Sequence, residues 1–319
     1  MRLGILIEGQ EGHGWTLWRQ IVAAVERLGF ESLWRSDHFM SNIDAGRESL
    51  ETWAALALTA AETTRLRFGP LVCPITFRHP SVLARMAAAL DTLSGGRLVL
   101  GLGAGWNAAE HRAFGLPFPP LNRRLEMLEE GIEVIARLLG DEAAHFSGRY
   151  YRLEGADPRP KPVQRPRLPL LVGGAGDGAL RIVARHADEW DVSGGLDPLA
   201  YRARRERLAE LCREINRDPG QIVHCLSTAY LIGRDEPELA ERAAALQRLI
   251  PSLAGLDAAQ VPSYLKSIGW RVGTPEQIAD ALRSLAAEGV QRVILQHNDQ
   301  DDFDALELVA REVMRNLTP

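Results

Sequence analysis

The sequence predicts an α/β fold of the (β/α)8 TIM-barrel class, in one domain that spans residues 1–319. Short apolar segments alternate with longer amphipathic segments, and eight such strand–helix units in series are typical of a closed barrel. The chain has 319 residues, of which 46% are hydrophobic. It can therefore bury a large core, and α/β barrels of this length often fold as a single domain. A doubly wound sheet is the alternative architecture.

The first half of the chain contains four strand–helix units. The strands are predicted from short apolar runs, and the helices from apolar residues that recur with a period near 3.6. Gly29 stands where a helix C-cap is expected, and Pro80 stands where a helix begins. The predicted strands are 3–7, 32–34, 66–72 and 98–102, and the predicted helices are 15–28, 51–63, 80–93 and 121–139.

Two small insertions interrupt the alternation, at about 141–169 and 251–270. The first contains a predicted hairpin at 146–153 and then a proline-rich stretch, which blocks helices and central strands and indicates an extended surface connection. Thr274, Pro275 and Gln277 then form the capped start of a helix. The other predicted strands are 170–172, 189–193, 222–232 and 292–296, and the other helices are 178–186, 201–213, 236–249 and 303–316.

Composition and charge narrow the class of protein. A net charge of -5 and a pI near 6.0 give no electrostatic reason to expect nucleic acid as a partner. The chain has no run of about 18 apolar residues, which a membrane span needs, and no signal-peptide pattern at Met1. Three scattered cysteines do not suggest a disulfide framework, and metal-binding patterns are absent from the sequence. We therefore expect a cytoplasmic protein without a metal site.

Functional residues of a (β/α)8 barrel lie at the C-terminal ends of its strands, and two glycine-rich segments stand there. Residues 173–178 follow the fifth strand and open a helix, where free backbone N–H groups favour a phosphate. Residues 101–107 end the fourth strand, where glycines allow a flat ring to lie against the backbone. The alternative explanations are a plain tight turn for the first segment and packing at a narrow point of the barrel for the second.

A carboxylate and an imidazole, Asp37 and His38, stand at the end of the second strand. Histidine takes up or releases a proton near neutral pH, and this position distinguishes His38 from the other seven histidines. Glu8, which ends the first strand, is a lesser candidate. The residue types therefore predict proton transfer at the mouth of the barrel.

Several segments, taken in order, resemble the luciferase-like flavin and deazaflavin oxidoreductases. They include Leu-Gly-Phe-Glu-Ser-Leu-Trp at 28–34, Ser-Asp-His-Phe at 36–39, Ser-Gly-Gly-Arg-Leu at 94–98 and Gly-Leu-Gly-Ala-Gly-Trp-Asn at 101–107. Shorter matches lie at 78–80, 110–111, 114–119, 160–162 and 173–174. The segments span most of the chain and are most similar to the bacterial branch that uses the deazaflavin coenzyme F420. The resemblance implies a luciferase-like barrel with the tricyclic ring at its C-terminal mouth.

The resemblance also implies residues that contact the cofactor. In this family the ring rests against a bulge in the third strand that contains a non-proline cis peptide, which maps to Leu71–Val72. The backbone near Asp37 and the fourth-strand glycines would line the ring, Asn107 would reach its polar edge, and the loop after the fifth strand would bind the phosphate. The implied cofactor contacts are Asp37, Leu71, Val72, Cys73, Gly103, Gly105, Asn107, Gly173, Gly174, Ala175, Gly176 and Asp177.

The implied activity is hydride transfer between C5 of coenzyme F420 and a small organic substrate. An FMN-dependent monooxygenase supplied by a separate reductase is the alternative enzyme, and a flavin-binding protein without catalysis is the third possibility. His38 is the expected proton-transfer residue, and Glu110 and His111 are the other catalytic candidates. Besides the substrate, the expected partners are a second copy of the chain in a homodimer and a cofactor reductase.

The sequence departs from the sugar-phosphate dehydrogenases that it resembles. Some of these place a glutamate directly after the fourth-strand glycines, where this chain has Trp106, and they bind the sugar phosphate with lysines, which are scarce here. We therefore expect a more apolar substrate. The residues expected to line its pocket are Glu8, Trp34, Phe39, Trp106 and Trp270.

Overall fold

The computed structural model describes residues 1–12, 14–44 and 46–317. Most of its strands are short, and they lie close to the positions that the apolar runs predict. The strands are β1 Arg2–Ile7, β2 Ser32–Arg35, β3 Arg67–Pro70, β4 Cys73–Pro74, β5 Leu100–Gly103, β6 Ala144–Ser147, β7 Arg152–Ala156, β8 Leu170–Gly173, β9 Glu189–Ser193, β10 Val223–Ile232, β11 Arg271–Gly273 and β12 Arg292–Gln296.

The main sheet is a parallel barrel. Its strand order is β3-β2-β1-β12-β10-β9-β8-β5-β4, so that each barrel strand lies beside its neighbours in the chain and the last strand pairs with the first. The barrel closes between its third and fourth strands, where Phe68 forms a parallel bridge with Leu98. The predicted (β/α)8 barrel is therefore confirmed, and the doubly wound alternative is wrong.

Helices surround the barrel and bury their apolar faces against it. In the first helix Trp18, Ile21 and Val25 are fully buried, and Gly29 ends the helix in the left-handed conformation with φ of 87°. The capping box at Thr274 is also present. The helices are α1 Trp15–Leu28, α2 Thr52–Glu62, α3 Pro80–Ser94, α4 Ala108–Ala113, α5 Leu121–Leu139, α6 Asp177–His186, α7 Pro198–Glu214, α8 Glu236–Leu249, α9 Val261–Ser267, α10 Pro275–Ala287, α11 Phe303–Leu308 and α12 Met314–Leu317, with a π-helical segment at Val309–Val313.

The third barrel strand is divided in two. The single strand predicted at 66–72 ends at Pro70, and a second short strand begins at Cys73. The peptide bond between Leu71 and Val72 is cis. This confirms the cis bond that the family resemblance implies.

Glycines of the neighbouring strands make room for the Val72 side chain inside the barrel. A Cβ at Gly103 would lie 2.6 Å from Val72 Cγ2, and Cβ atoms at Gly101 and Gly173 would lie 3.1 Å and 3.3 Å from Val72 Cγ1. The structure therefore supports packing as the reason for the glycines of β5. Gly103, expected to line the ring, is buried beside Val72.

The two insertions form small structures beside the barrel. The first contains the antiparallel pair β6–β7, which confirms the predicted hairpin. The second contains α9, which surrounds a separate apolar cluster together with α8 and β11. Among the described residues, no helix combines the length and apolar character that crossing a membrane requires.

A buried ion cluster occupies the N-terminal end of the barrel interior. Arg292 of β12 is fully buried and forms ion pairs with Glu31, at 2.8 Å, and with Glu189. Two carboxylates compensate the guanidinium for its loss of water, as a buried charge requires. Arg292 is thus committed to partners at the end of the barrel opposite the mouth.

Candidate active site

The C-terminal mouth of the barrel brings His38 and Glu110 together. His38 follows β2, and Glu110 lies in α4, which follows β5. His38 Nδ1 lies 2.8 Å from Glu110 Oε2, and Oε1 of the same carboxylate accepts hydrogen bonds from the backbone N–H groups of Phe39 and Met40. The fully buried Glu110 carboxylate is therefore held by the loop after β2 and fixes the Nδ1 edge of the imidazole.

Burial and charge shift the pKa values of both groups. Burial alone lowers the pKa of His38, but the hydrogen bond and negative charge of Glu110, with Glu8 and Asp37 nearby, leave that pKa above its ordinary value. Burial raises the pKa of Glu110, but the bonds from His38 and from the two backbone N–H groups lower it overall. The pair therefore favours an imidazolium beside a carboxylate.

The side chain of Asp37 forms a buried ion pair. Arg78 donates to both oxygens of its carboxylate, at 2.5 Å and 3.1 Å, and also to Glu51 at 2.7 Å. The Asp37 side chain is 0% exposed, so only its backbone can contact a cofactor, as the resemblance implies. Sequence reasoning missed this pair because its members are 41 residues apart, although Arg78 belongs to the recognised Arg-His-Pro segment.

His111 and Asn107 are not placed for their expected roles. His111 is fully buried, with Nε2 2.6 Å from Thr76 Oγ1 and Nδ1 2.7 Å from the Asn107 carbonyl oxygen. Both of its ring nitrogens have protein partners, which argues against proton transfer and gives His111 a structural position. The Asn107 amide donates to Asn42 at 2.6 Å and accepts from the N–H of Glu110, so it caps α4 and does not reach toward a ring.

Trp106 is the best placed of the aromatic residues expected in a substrate pocket. It is 66% exposed, and its ring packs edge-on against His38 with centroids 5.5 Å apart. Phe39 is partly buried and stacks on Phe77 with centroids 4.3 Å apart. An apolar group bound beside His38 would therefore contact Trp106.

Three other expected contacts lie in packed regions. Trp34 is fully buried inside the barrel and donates a hydrogen bond to Ser32, so the structure does not support its expected contact with substrate. Cys73 is fully buried, and burial raises the pKa of its thiol. Trp270 is half-buried against the cluster of α8, α9 and β11. The side chains of all three residues pack against other parts of the protein.

The remaining residues expected near the ring lie around the mouth. Leu71 and Val72 are partly buried at the break between β3 and β4. Gly105 has a φ of 79°, which favours glycine, and it lies in the turn that leads to α4. Glu8 accepts a hydrogen bond from Gln10 at 2.7 Å, and its charge helps to raise the pKa of His38. Glu8 therefore lies near enough to the imidazole to affect its protonation.

The loop after β8 has the geometry of an anion site. Gly174 has a φ of 136°, Ala175 is partly buried, and Gly176 precedes α6 with open space around its Cβ position. The N–H groups in the first turn of a helix have no intrahelical acceptor, and within the described part of the chain no side-chain cap bonds to this turn. The Asp177 carboxylate turns toward Arg207, at 3.2 Å, so its backbone N–H is the part suited to a phosphate.

Two residues of β9 hold this loop, and sequence reasoning missed both. The indole N–H of Trp190 donates to the carbonyl of Gly174 at 2.8 Å, and the N–H of Gly174 donates to the carbonyl of Asp191 at 3.0 Å. Trp190 is fully buried and stacks on Tyr201 of α7. The first loop glycine is therefore fixed through both its N–H and its carbonyl.

The barrel and the residues at its mouth agree with a known family. The family described as luciferase-like monooxygenase matches residues 1–292 of the chain. The protein belongs to this family, which confirms the resemblance found in the sequence.

The chain is also similar to curated relatives and to solved structures. An F420-dependent glucose-6-phosphate dehydrogenase of Microbacterium testaceum (strain StLB037) is 33% identical over 177 residues, which are 55% of this chain and 52% of the relative. The chain thus spans about half the length of the curated relatives that it matches.

Two solved structures share the fold across the whole chain. An F420-dependent secondary alcohol dehydrogenase in complex with an F420-acetone adduct covers 100% of this chain and 99% of its own, with a TM-score of 0.82 and 21% identity. The monooxygenase RslO1 of Streptomyces bottropensis covers 99% of both chains, also with a TM-score of 0.82 and 21% identity. At these identities the likeness establishes the fold alone.

We predict that Glu110→Gln lowers the free energy of unfolding by about 1–3 kcal/mol, the usual cost of an unsatisfied buried polar group. The raised pKa of His38 stabilises the fold below the ordinary histidine pKa, and this contribution is lost as pH rises through the raised value. The lowered pKa of Glu110 stabilises the fold above the ordinary glutamate pKa, and this contribution is lost as pH falls. The decrease in unfolding free energy caused by Glu110→Gln should therefore be largest between pH 4.5 and pH 6.5, the ordinary pKa values of glutamate and histidine.

Urea denaturation of the wild type and of Glu110→Gln, across this range and up to about pH 9, measures the difference in their unfolding free energies. A titrating pair makes that difference change with pH. Glu154→Gln is the matched control, because the Glu154 side chain is 73% exposed. A difference for Glu110→Gln that does not change with pH would contradict the coupling between Glu110 and His38.

Proposed function

We propose that this protein is a coenzyme F420-dependent oxidoreductase that transfers a hydride between the deazaflavin and a small organic substrate. The observation that carries the proposal is the pair at the mouth: a buried Glu110 carboxylate bonded to His38, whose side chain is 11% exposed. Exposed Trp106 beside His38 supports a partly apolar substrate. The F420-dependent activity named for the Microbacterium testaceum relative supports the choice of cofactor.

The residues present fit such a cofactor in two places. The first turn of α6 offers backbone N–H groups to a phosphate, and the open space at Gly176 leaves room for one. Leu71 and Val72, at the break in the third strand, would support the ring, with the backbone of Asp37 at its side. Both places lie at the C-terminal ends of barrel strands, where active sites of this fold lie.

The proposed chemistry divides between the cofactor and the protein. When bound, the deazaflavin supplies a carbon, C5, that accepts or gives a hydride. With the Nδ1 proton of His38 donated to Glu110, Nε2 is the basic nitrogen that takes a proton from a substrate hydroxyl. In the reverse direction the imidazolium returns that proton. Glu110 orients the ring and stabilises its charged form, and Trp106 helps to exclude water from this position.

An FMN-dependent monooxygenase with a separate reductase is the second candidate. The description of the family and the fold shared with RslO1 favour it. The two activities differ in the reactivity of the cofactor, because a reduced flavin reacts readily with dioxygen and a reduced deazaflavin does not. A flavin-binding protein without catalysis would bind the cofactor and never turn it over.

We expect the purified protein to bind coenzyme F420 more tightly than FMN, as measured by fluorescence and absorbance titration. Gly176→Leu should weaken binding of F420, because a bulky side chain enters the space proposed for the phosphate, while Gly176→Ala is the smaller control. The fold should tolerate both, since among the described residues, chain neighbours aside, no atom lies within 4 Å of a Cβ at this position. Tighter binding of FMN, with consumption of dioxygen, would favour the monooxygenase instead.

We expect His38→Ala to lower turnover by roughly 10²–10⁴-fold, the usual contribution of a positioned acid–base group. Cofactor affinity should change little, because His38 acts on the substrate proton. In the wild type, oxidation of an alcohol should accelerate as pH rises through the raised pKa of His38, since the neutral ring is the base. Steady-state rates against pH measure both effects, and His145→Ala, at an exposed histidine, is the control. Wild-type turnover with an unchanged pH profile in His38→Ala would contradict the assignment.

A further inference from the structure

The carboxyl group of Asp191 is buried inside the barrel and has no part in the mechanism above. Asp191 lies on β9, opposite Gly173 of β8 and Cys225 of β10. The residue is 4% exposed, and its Oδ2 accepts a hydrogen bond from Ser227 Oγ at 2.8 Å. Among the described residues, Oδ1 has no hydrogen-bond partner. A buried carboxylate oxygen without a donor is costly, and folded proteins retain few of them.

The charged groups around Asp191 do not satisfy this oxygen. Burial raises the pKa of Asp191 to about 6, with a further increase from the charge of Glu189, while Ser227 and the charge of Arg292 lower it. Arg292 is already paired with Glu31 and Glu189. At neutral pH the carboxylate is therefore mostly ionised, and Oδ1 is an acceptor in need of a donor.

Asp191 also lies between the two places proposed for the cofactor. Its backbone carbonyl accepts a hydrogen bond from Gly174, the first loop residue at the phosphate position. Its strand neighbour Gly173 packs against Val72, on which the ring would rest. In flavins and deazaflavins a ribityl chain joins ring and phosphate, and each of its hydroxyl groups is a hydrogen-bond donor. A ribityl chain that connects these two places must pass the C-terminal ends of β8 and β9, at the mouth of the barrel.

We propose that Asp191 is a binding residue for the polyol chain of the cofactor, with Oδ1 accepting a hydrogen bond from a ribityl hydroxyl, directly or through one ordered water. This assignment rests on the deazaflavin function proposed above. Ser227 is the positioning residue, because its hydroxyl holds the other carboxylate oxygen. Asp191 would recognise the hydroxyl groups of the ribityl chain, and it would contribute to the affinity for the cofactor.

Two ligands are used to distinguish binding of the ribityl chain from binding of the deazaflavin ring. One is the riboside of the deazaflavin, which carries the ribityl chain, and the other is the same ring with a methyl group in place of that chain. Both are titrated by fluorescence against the wild type, Asp191→Leu and Asp191→Asn. Asp141→Asn is the control, because the Asp141 side chain is 81% exposed. Thermal melting of each ligand-free protein gives a second readout.

Asp191→Leu should weaken binding of the riboside by about tenfold or more, the usual effect of losing a hydrogen bond to a charged group. Binding of the methyl compound should stay unchanged, and Asp191→Asn should have a smaller effect because it keeps one acceptor oxygen. The ligand-free variants should melt at or above the wild-type temperature, because a buried carboxylate with only one bonded oxygen is removed.

The contrary results separate this proposal from the proposed function. Equal weakening of both ligands, or no weakening of either, overturns the role of Asp191 and leaves the deazaflavin function in place. A lower melting temperature of both variants also overturns it, since Asp191 would then be structural. Failure of the wild type to bind coenzyme F420 itself overturns the deazaflavin function, and this proposal with it.

Discussion

The mouth of the barrel depends on the hydrogen bonds that the buried carboxylate of Glu110 accepts. A charge removed from water must be compensated by donors in the protein, and here the donors come from the loop after β2: the N–H groups of Phe39 and Met40 and the ring of His38. This requirement joins that loop to α4, which follows β5. It also determines which ring nitrogen of His38 is directed away from Glu110, and so which one can meet a substrate.

A second constraint at the C-terminal end of the barrel is the volume of the Val72 side chain. Gly101, Gly103 and Gly173 leave the space that it fills, and a side chain at any of these positions would crowd it. Asp191, which pairs with Gly173 on the neighbouring strand, is also buried, and one oxygen of its carboxyl group has no hydrogen-bond partner among the described residues. The mouth thus combines tight packing with buried polar groups, and such groups cost stability unless a ligand or a neighbour satisfies them.

The sequence could predict the barrel because its evidence is local: periods of two and 3.6 residues, caps and turns are all read within short windows. It could also place His38 and the loop at Gly174, because strand ends mark the mouth. It could not show which face of a strand is buried, so Trp34 was expected to line a pocket and instead packs inside the barrel. Likewise, the alternating polar residues of β9 are as typical of a solvent-facing strand as of a polar barrel interior, and Asp191 was overlooked.

The sequence also does not show which distant residues pair with each other in the folded protein. Glu110 and His38 were both named as candidates, but the bond between them joins positions 72 residues apart. His111, one residue beyond Glu110, points into the packed region near Thr76. These neighbours in sequence are both buried but have different partners, because successive residues of a helix face different directions. Only the three-dimensional arrangement identifies which of the two meets His38.

The most direct test of this account is the protonation of His38, measured by NMR titration of protein labelled with 15N-histidine. The account predicts a pKa above the ordinary value of 6.5, with the neutral ring protonated on Nδ1, and a lower pKa in Glu110→Gln. A pKa at or below 6.5 in the wild type, or a value that Glu110→Gln leaves unchanged, would contradict the claim that the buried carboxylate controls the imidazole.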